Sequence, residues 1–346
     1  MDSKKGNTQK SILVRTLYDE KKSDFKLELL AGAEGLDSRK IISSDINRPG
    51  LALTGFTKKF LAERIQILGS TEISYISTLS TTQRKDAINN VISFTPPCFI
   101  IAKNLELPDG FTKIANNFIV PVFRTSIDTT QFIHMLTAYL DYKLAPETFL
   151  HGDLVDVYGV GLLLVGESGI GKSECALDLV ERGHRLVADD LIKVLRRSEF
   201  IVMGFSAAKS TKLQHHIEIR GVGIVDIYAL YGIRSVRTQK RIEVQVELVH
   251  WAENLDYERI GLEDKYTEIL GVQIPLVQIP VMPGKNLALV CEVIAKNYLL
   301  KILGYSPAKA FNEELLRIMK NPDSKTKPPR YGIPFKPDPW ITDDIE

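Results

Sequence analysis

Residues Gly166, Glu167, Ser168, Gly169, Ile170, Gly171, Lys172 and Ser173 read GESGIGKS, which satisfies the pattern G-x-x-x-x-G-K-[ST] in full. Glycines let the backbone curl so that several N–H groups point into one concavity, the shape a phosphate chain requires. A lysine at 172 would reach the outer phosphates, and the Ser173 hydroxyl suits Mg²⁺. The pattern carries weight only between a strand and a helix. Residues 161–165 read GLLLV, a short apolar run of the kind found in buried parallel strands. Downstream, Ala176, Leu177 and Val180 recur at helical spacing, and Gly183 marks a stop. The expectation is a site for a nucleotide or another polyphosphate.

Other chemistry-bearing residues follow. Residues 184–190, HRLVADD, form an apolar strand ending in two carboxylates, with Asp190 eighteen residues after Lys172 (190 − 172). A strand after the phosphate-loop helix can return its end to the same rim. Two adjacent acids there can divide the labour, one holding Mg²⁺ or water and the other taking a proton. Ile217, Glu218, Ile219, Arg220, Gly221, Val222, Gly223, Ile224, Val225 and Asp226 form a glycine-loosened segment. Glu218 could complete a Mg²⁺ shell with Ser173, while the local pattern reads equally as a charged edge strand with a turn. Arg259 lies in a polar loop; Pro280, Val281, Met282, Pro283, Gly284 and Lys285 lead through a Pro–Gly turn into an apolar helix over 287–303. A loop cation of this kind is ordinarily solvated surface.

The elements that must position these residues alternate strand and helix, so the fold class is α/β with two domains. A length of 346 residues favours two cores. The expected divisions are a polar tail over 1–10, an amino-terminal α/β domain over 11–145, a phosphate-loop domain over 146–320, and a Pro-rich, acidic-ended, poorly ordered tail over 321–346. Within the first domain, residues 56–68 read as an amphipathic helix (Phe60, Leu61, Ile65 and Leu68 on one stripe), 98–102 and 118–123 as strands, and 130–143 as a helix. Glu63 and Arg64 read as a solvated or paired helix face. In the second, residues 241–251 read as one alternating strand. With 44 basic against 43 acidic residues, no nucleic-acid or membrane-surface partner is indicated. No apolar run is long enough to span a bilayer. Cys98, Cys175 and Cys291 have no metal or redox spacing, and a reducing, cytoplasmic compartment is the default expectation.

Taken in order, HGDLVDVYGVG, GESGIGKSE, GHRLVADD, EIRGVGIVD, ERIG and IPVMPGKN resemble the HPr kinase/phosphorylase family across residues 151–303. INRPGLALTGF and ERIQILG resemble that family's amino-terminal domain. The resemblance implies a catalytic domain similar to the nucleotide-binding core of phosphoenolpyruvate carboxykinase, and a homohexamer. It implies transfer of phosphate from ATP or pyrophosphate, with Mg²⁺, to a serine of HPr, the small phosphocarrier of the sugar phosphotransferase system. The reverse reaction is phosphorolysis by inorganic phosphate, and the pair of activities regulates carbon metabolism.

Carried over by residue, Lys172 is the phosphate-loop lysine, and Ser173 and Glu218 are metal-binding. Asp190 is the acid–base residue, His151 lies beside it, and Arg259 is at the transferring phosphoryl group. Residues 217–226 serve both reactions, and 280–285 mainly dephosphorylation. The chain departs from the family pattern at Lys285, where arginine is usual, so weak phosphorolysis is expected. A small-molecule kinase on the same core and a non-enzymatic ATP-gated regulator fit parts of the pattern.

Overall fold

The computed structural model describes residues 10–208, 210, 214–251 and 265–320, which fall into two units dividing between Ala145 and Pro146. Arg259 and the tail over 321–346 lie outside the described residues.

In the amino-terminal unit, β1 (Ile12–Leu13) runs straight into α1 (Val14–Lys21). Next come β2 (Glu28–Ala31), β3 (Lys40–Ile41), β4 (Ile46–Asn47) and the single-turn α2 (Gly50–Leu53). β5 (Ile65–Leu68) is followed by α3 (Ser70–Thr78) and α4 (Thr81–Ile92), β6 (Phe99–Ile101) by α5 (Phe111–Asn117), and β7 (Val122–Arg124) by α6 (Thr129–Leu144). β4, β5, β6 and β7 pair in parallel in that order, β2 closes the far edge antiparallel to β7, and β1 and β3 pair with each other.

The central strands are apolar on both faces because helices cover both. Ile65, Ile67 and Ile100 pack with α1 and α6, while Leu68, Phe99 and Ile101 pack with α2, α3, α4 and α5. Helix starts follow their capping chemistry: Ser80 and Gln83 make a reciprocal box at α4, and the Asp128 carboxylate accepts the Thr130 amide at α6.

The stripe over 56–68 is not a helix: residues 57–64 are turns, and only Ile65–Leu68 is regular, as a strand. All four of its residues are buried, and burial on both faces overrode the helical spacing. Arg64 pairs with Asp45 at 2.9 Å from a turn rather than from a helix face. The run over 118–123 becomes a strand only from Val122, because Ile119 adopts a left-handed φ of 53°.

In the carboxyl-terminal unit, β8 (Glu147–His151), β9 (Asp153–Val157) and β10 (Val160–Gly166) precede α7 (Lys172–Glu181). They are followed by β11 (Arg185–Ala188), β12 (Leu191–Arg196), β13 (Val202–Ser206), and the hairpin β14 (His216–Ile219) and β15 (Gly223–Asp226) with α8 (Ile227–Tyr231). β16 (Gln239–Arg241), β17 (Val244–His250), β18 (Lys265–Ile269), β19 (Val272–Val281), α9 (Leu287–Ile302) and α10 (Pro307–Lys320) complete it. The larger sheet runs β11–β9–β10–β17–β19–β18, mixed in direction, and a second sheet runs β16–β13–β12–β8.

Alternation along β10 explains the layers. Leu162 and Leu164 face α7 and α9, whereas Leu163 faces the apolar side of the second sheet, with Ile192, Val194 and Val202. The expected single strand over 241–251 is two: β16 ends at Arg241 in the second sheet, and β17 starts at Val244 in the larger one. Among the described residues no helix is long and apolar enough to cross a membrane.

Candidate functional site

β10 runs parallel to β17, and β17 parallel to β19, so all three deliver their carboxyl ends to one edge. β11 joins them there, since β9 is antiparallel to both β10 and β11. The phosphate-loop residues therefore emerge where Asp189 and Asp190 end β11. Gly166 is the last residue of β10, residues 167–171 turn, and Lys172 and Ser173 open α7. Ile170 points back into the core and anchors the loop. The Lys172 ammonium donates to the carbonyls of Gly166 (3.2 Å) and Glu167 (3.1 Å).

Two chain crossings between the sheets meet at this edge. Gly152 links β8 to β9, and Asp189–Asp190 link β11 to β12. At Gly152, φ is 152° and a Cβ would lie 2.3 Å from the Leu164 carbonyl oxygen, so only glycine fits the crossing. Its N–H donates to the Asp190 carbonyl at 3.0 Å, and β8 pairs with β12 so that His151 stands opposite Leu191. That register sets His151 Nδ1 4.0 Å from Asp190 Oδ1, with both side chains more than four-fifths exposed. Asp190 is left-handed at φ 62°, a conformation aspartate tolerates better than most residues.

Asp189 turns the other way, inward. Its Oδ1 accepts the Ser173 hydroxyl at 3.0 Å and its Oδ2 the Glu218 amide at 3.3 Å. One carboxylate thus draws together Ser173 from α7 and Glu218 from the β14–β15 hairpin. Burial raises the Asp189 pKa, and the hydrogen bonds from the Ser173 hydroxyl and the Glu218 amide oppose that rise. Among the described residues no group of three or more His, Cys, Asp or Glu side chains forms a metal centre. The Ser173 hydroxyl and the Glu218 side chain are hard oxygen donors, carried by two residues whose hydroxyl and backbone amide meet at the Asp189 carboxylate. That set fits Mg²⁺, which takes one or two carboxylates and otherwise relies on water and substrate phosphates.

Residues 217–226 form a hairpin: Ile217 and Ile219 are buried, Arg220, Gly221 and Val222 turn, and Gly223, Ile224, Val225 and Asp226 return. β14 and β15 pair with each other, so the edge-strand reading holds only in the sense of a detached hairpin. The turn brings Arg220 over the phosphate loop, where a Cβ on Gly169 would lie 2.4 Å from its guanidinium nitrogens. At the far end of the same edge, Pro280 and Val281 finish β19, Met282, Pro283 and Gly284 turn, and the Lys285 ammonium donates to the Pro280 carbonyl at 3.1 Å.

Pattern reading of the chain gave no individual role to Asp153 or Arg220. A carboxylate opening the apolar run of β9 was the available signal for the first. The second needed the hairpin's placement.

Residues 142–315 match the HPr Serine kinase C-terminal domain, and residues 12–140 match the HPr Serine kinase N terminus. This chain belongs to the HPr kinase/phosphorylase family. Its similarity to family members is nearly end to end: 42% identity over 334 residues to the HPr kinase/phosphorylase of Chloroherpeton thalassium, covering 96% of this chain and 97% of the relative. The corresponding protein of Geobacter sulfurreducens is 45% identical over 311 residues, covering 90% and 96%. A solved structure of the Hpr(Ser) kinase/phosphatase from Coxiella burnetii aligns at 30% identity over 44% of this chain and 97% of that one, with a TM-score of 0.40. In this HPr kinase/phosphorylase family member, the phosphate loop, the paired acids, His151 and the 217–226 hairpin converge at one sheet edge. Segment 280–285 stands on the same edge two strands away.

Proposed function

We propose that this chain phosphorylates a serine of HPr, with ATP or pyrophosphate as donor, and removes that phosphate by phosphorolysis. One observation carries the reading beyond family membership: an exposed carboxylate, Asp190, stands beside His151 at the edge where the phosphate loop opens. A protein hydroxyl can approach such a carboxylate from solvent, which a buried acid would not permit.

In the kinase direction, Asp190 accepts the serine proton as the serine oxygen attacks the terminal phosphorus and ADP leaves, or inorganic phosphate where pyrophosphate is the donor. In the reverse direction, inorganic phosphate attacks the phosphoserine, pyrophosphate forms, and Asp190 returns a proton to the departing serine oxygen. His151 holds the carboxylate's orientation by approach to Oδ1. Lys172 and Arg259 offset charge on the transferring group, each contributing on the order of 10²–10³ in rate. Ser173 and Glu218 would hold Mg²⁺, which when bound supplies charge neutralisation among the phosphate oxygens.

Segment 217–226 serves both directions by covering the loop with Arg220. Segment 280–285 serves mainly phosphorolysis, and a lysine whose ammonium is engaged by the Pro280 carbonyl leaves that direction the weaker. The similarity of the core to phosphoenolpyruvate carboxykinase and assembly as a homohexamer belong to the same reading.

Incubation with purified HPr, ATP and Mg²⁺ tests it. Mass analysis should find one phosphoryl group on one HPr serine, and added inorganic phosphate should release pyrophosphate. ATP consumption without any HPr modification would transfer the reading to a small-molecule kinase, and no turnover would leave a nucleotide-gated regulator.

A further inference from the structure

Asp190 follows β11, on one side of β10, and its amide donates to the buried Asp153 side chain at 3.1 Å. β17 lies on the other side of β10, paired in parallel with Leu248 opposite Gly166, and it ends at His250. Transfer to a serine places the attacking oxygen, the phosphorus and the leaving oxygen roughly in line. With the serine at Asp190, the leaving oxygen points away from that residue, across the phosphate loop toward β17. Pyrophosphate has one phosphate beyond that oxygen, which the loop amides and Lys172 can seat. ATP has a second phosphate and a nucleoside, and these must leave the loop past the end of β17.

At that rim His250 Nε2 stands 3.4 Å from Glu167 Oε2, and both side chains are exposed. Glu167 faces two ways. Its carbonyl accepts the Lys172 ammonium at 3.1 Å within the loop, while its carboxylate reaches the β17 side. A contact this exposed adds little to folding stability. A carboxylate also repels phosphate, so it is no ligand for the phosphate chain. What it accepts is an O–H donor, and the ribose hydroxyls of a nucleoside are donors that pyrophosphate lacks. We propose that Glu167 accepts the ribose hydroxyls of a nucleoside triphosphate, and that His250 is the positioning residue that orients its carboxylate, so that the pair selects ATP over pyrophosphate. The inference rests on the reading of this edge as the phosphoryl-transfer site. β17 is paired on both sides, with β10 and with β19, and this rigid strand fixes where the imidazole stands.

Calorimetry on the full chain with Mg²⁺ and ATP, 2′,3′-dideoxy-ATP or pyrophosphate tests this. The parent should bind ATP about 10-fold more tightly than the dideoxy analogue. In Glu167→Ala that preference should vanish. ATP should weaken by about 10-fold, and the ratio of its Kd to that of pyrophosphate should rise at least as much, because removing a negative charge does not weaken pyrophosphate. His250→Ala should move the same ratio by about three-fold, and His250→Gln, which keeps an N–H donor, should recover most of it. In turnover with HPr the loss should fall on KM for ATP rather than on kcat. The proposal fails if the parent binds ATP and the dideoxy analogue equally, or if Glu167→Ala keeps the parent's preference. It fails equally if ATP and pyrophosphate weaken together, since the pair then only shapes the loop. No effect from His250→Ala, or no recovery in His250→Gln, overturns the positioning role. Should the parent bind ATP yet leave HPr unphosphorylated, the functional reading fails by itself, and the dissociation constants still decide the roles of Glu167 and His250. No ATP binding by the parent would end the inference as well.

Discussion

In the amino-terminal unit, Glu20, Asp37 and Asp128 sit at the surface against Lys143, Arg15 and Lys103, and those hydrogen-bonded cations hold all three carboxyl groups below their ordinary pKa. In the carboxyl-terminal unit, Asp153, Asp189 and Glu243 are pushed the other way, in each case by burial first. Surface pairs favour the charged form at little cost and with little consequence. Withdrawing acids from water is unfavourable for folding, and such groups concentrate where geometry matters more than stability. Asp153 and Asp189 flank the phosphate loop, whereas Glu243 shows that the device is also structural: it accepts the Gly161 amide and is paired with buried Lys240, away from the acid pair. The contrast between the units separates a scaffold from the edge proposed to carry the chemistry.

The sharpest way to break that contrast is to disable the working edge alone. Asp190→Asn should lower both kinase and phosphorolysis rates by about 10²–10⁴, with nucleotide binding and melting temperature near the parent's. A rate within a few-fold of the parent would move the base to Asp189 or His151. Lys172→Ala should cost about 10²–10³ in kinase rate and most of the nucleotide affinity, measured by calorimetry, with the fold intact; unchanged turnover would displace the site from this loop.

The reciprocal test disturbs the scaffold. Glu72 is buried and accepts from the Gly69 amide and from Arg48, each at 2.9 Å, at the start of α3. Glu72→Ala should destabilise the amino-terminal unit by about 1–2 kcal/mol in denaturant melts, while kcat per folded molecule stays at the parent value because each unit has its own cores. A fall in kcat would tie the units together energetically.

The smallest effect is expected from acid. Carboxyls with lowered folded pKa contribute stability above their unfolded pKa and lose it as pH falls through the folded value. Those with raised folded pKa contribute most below the unfolded pKa and lose it as pH rises through the folded value. Acidification between about pH 5 and about pH 1 should therefore weaken the amino-terminal unit before the other, modestly, because its pairs are exposed and screened. Exchange-protected amides of β5 and β6 should open ahead of those of β10 and β17; the opposite order would show that other groups govern acid stability.

The phosphate loop was legible because its chemistry is local: glycine, lysine and serine at fixed offsets between an apolar strand and a periodic helix. The placement of Asp190 was legible for a similar reason, a strand ending in acids one helix later. The places of Arg220 and Asp153 were not, because their neighbours, Gly169 and the Asp190 amide, are reached only once the hairpin and the sheet crossings are in place. The same limit explains the misread run over 56–68. Ile65 and Leu68 fit helical spacing as well as they fit a strand, and the choice was made by the neighbouring strands β4 and β6.

The left-handed backbone at Asp190 has a consequence for the lineage as well as for the molecule. Asparagine accepts that conformation as readily as aspartate does, and the two codons differ by a single base. If the side chain supplies the proton transfer, one point mutation yields a folded copy that still grips nucleotide and transfers nothing. Stability offers no barrier to that drift at position 190, so selection on phosphate transfer alone would have to hold the aspartate there.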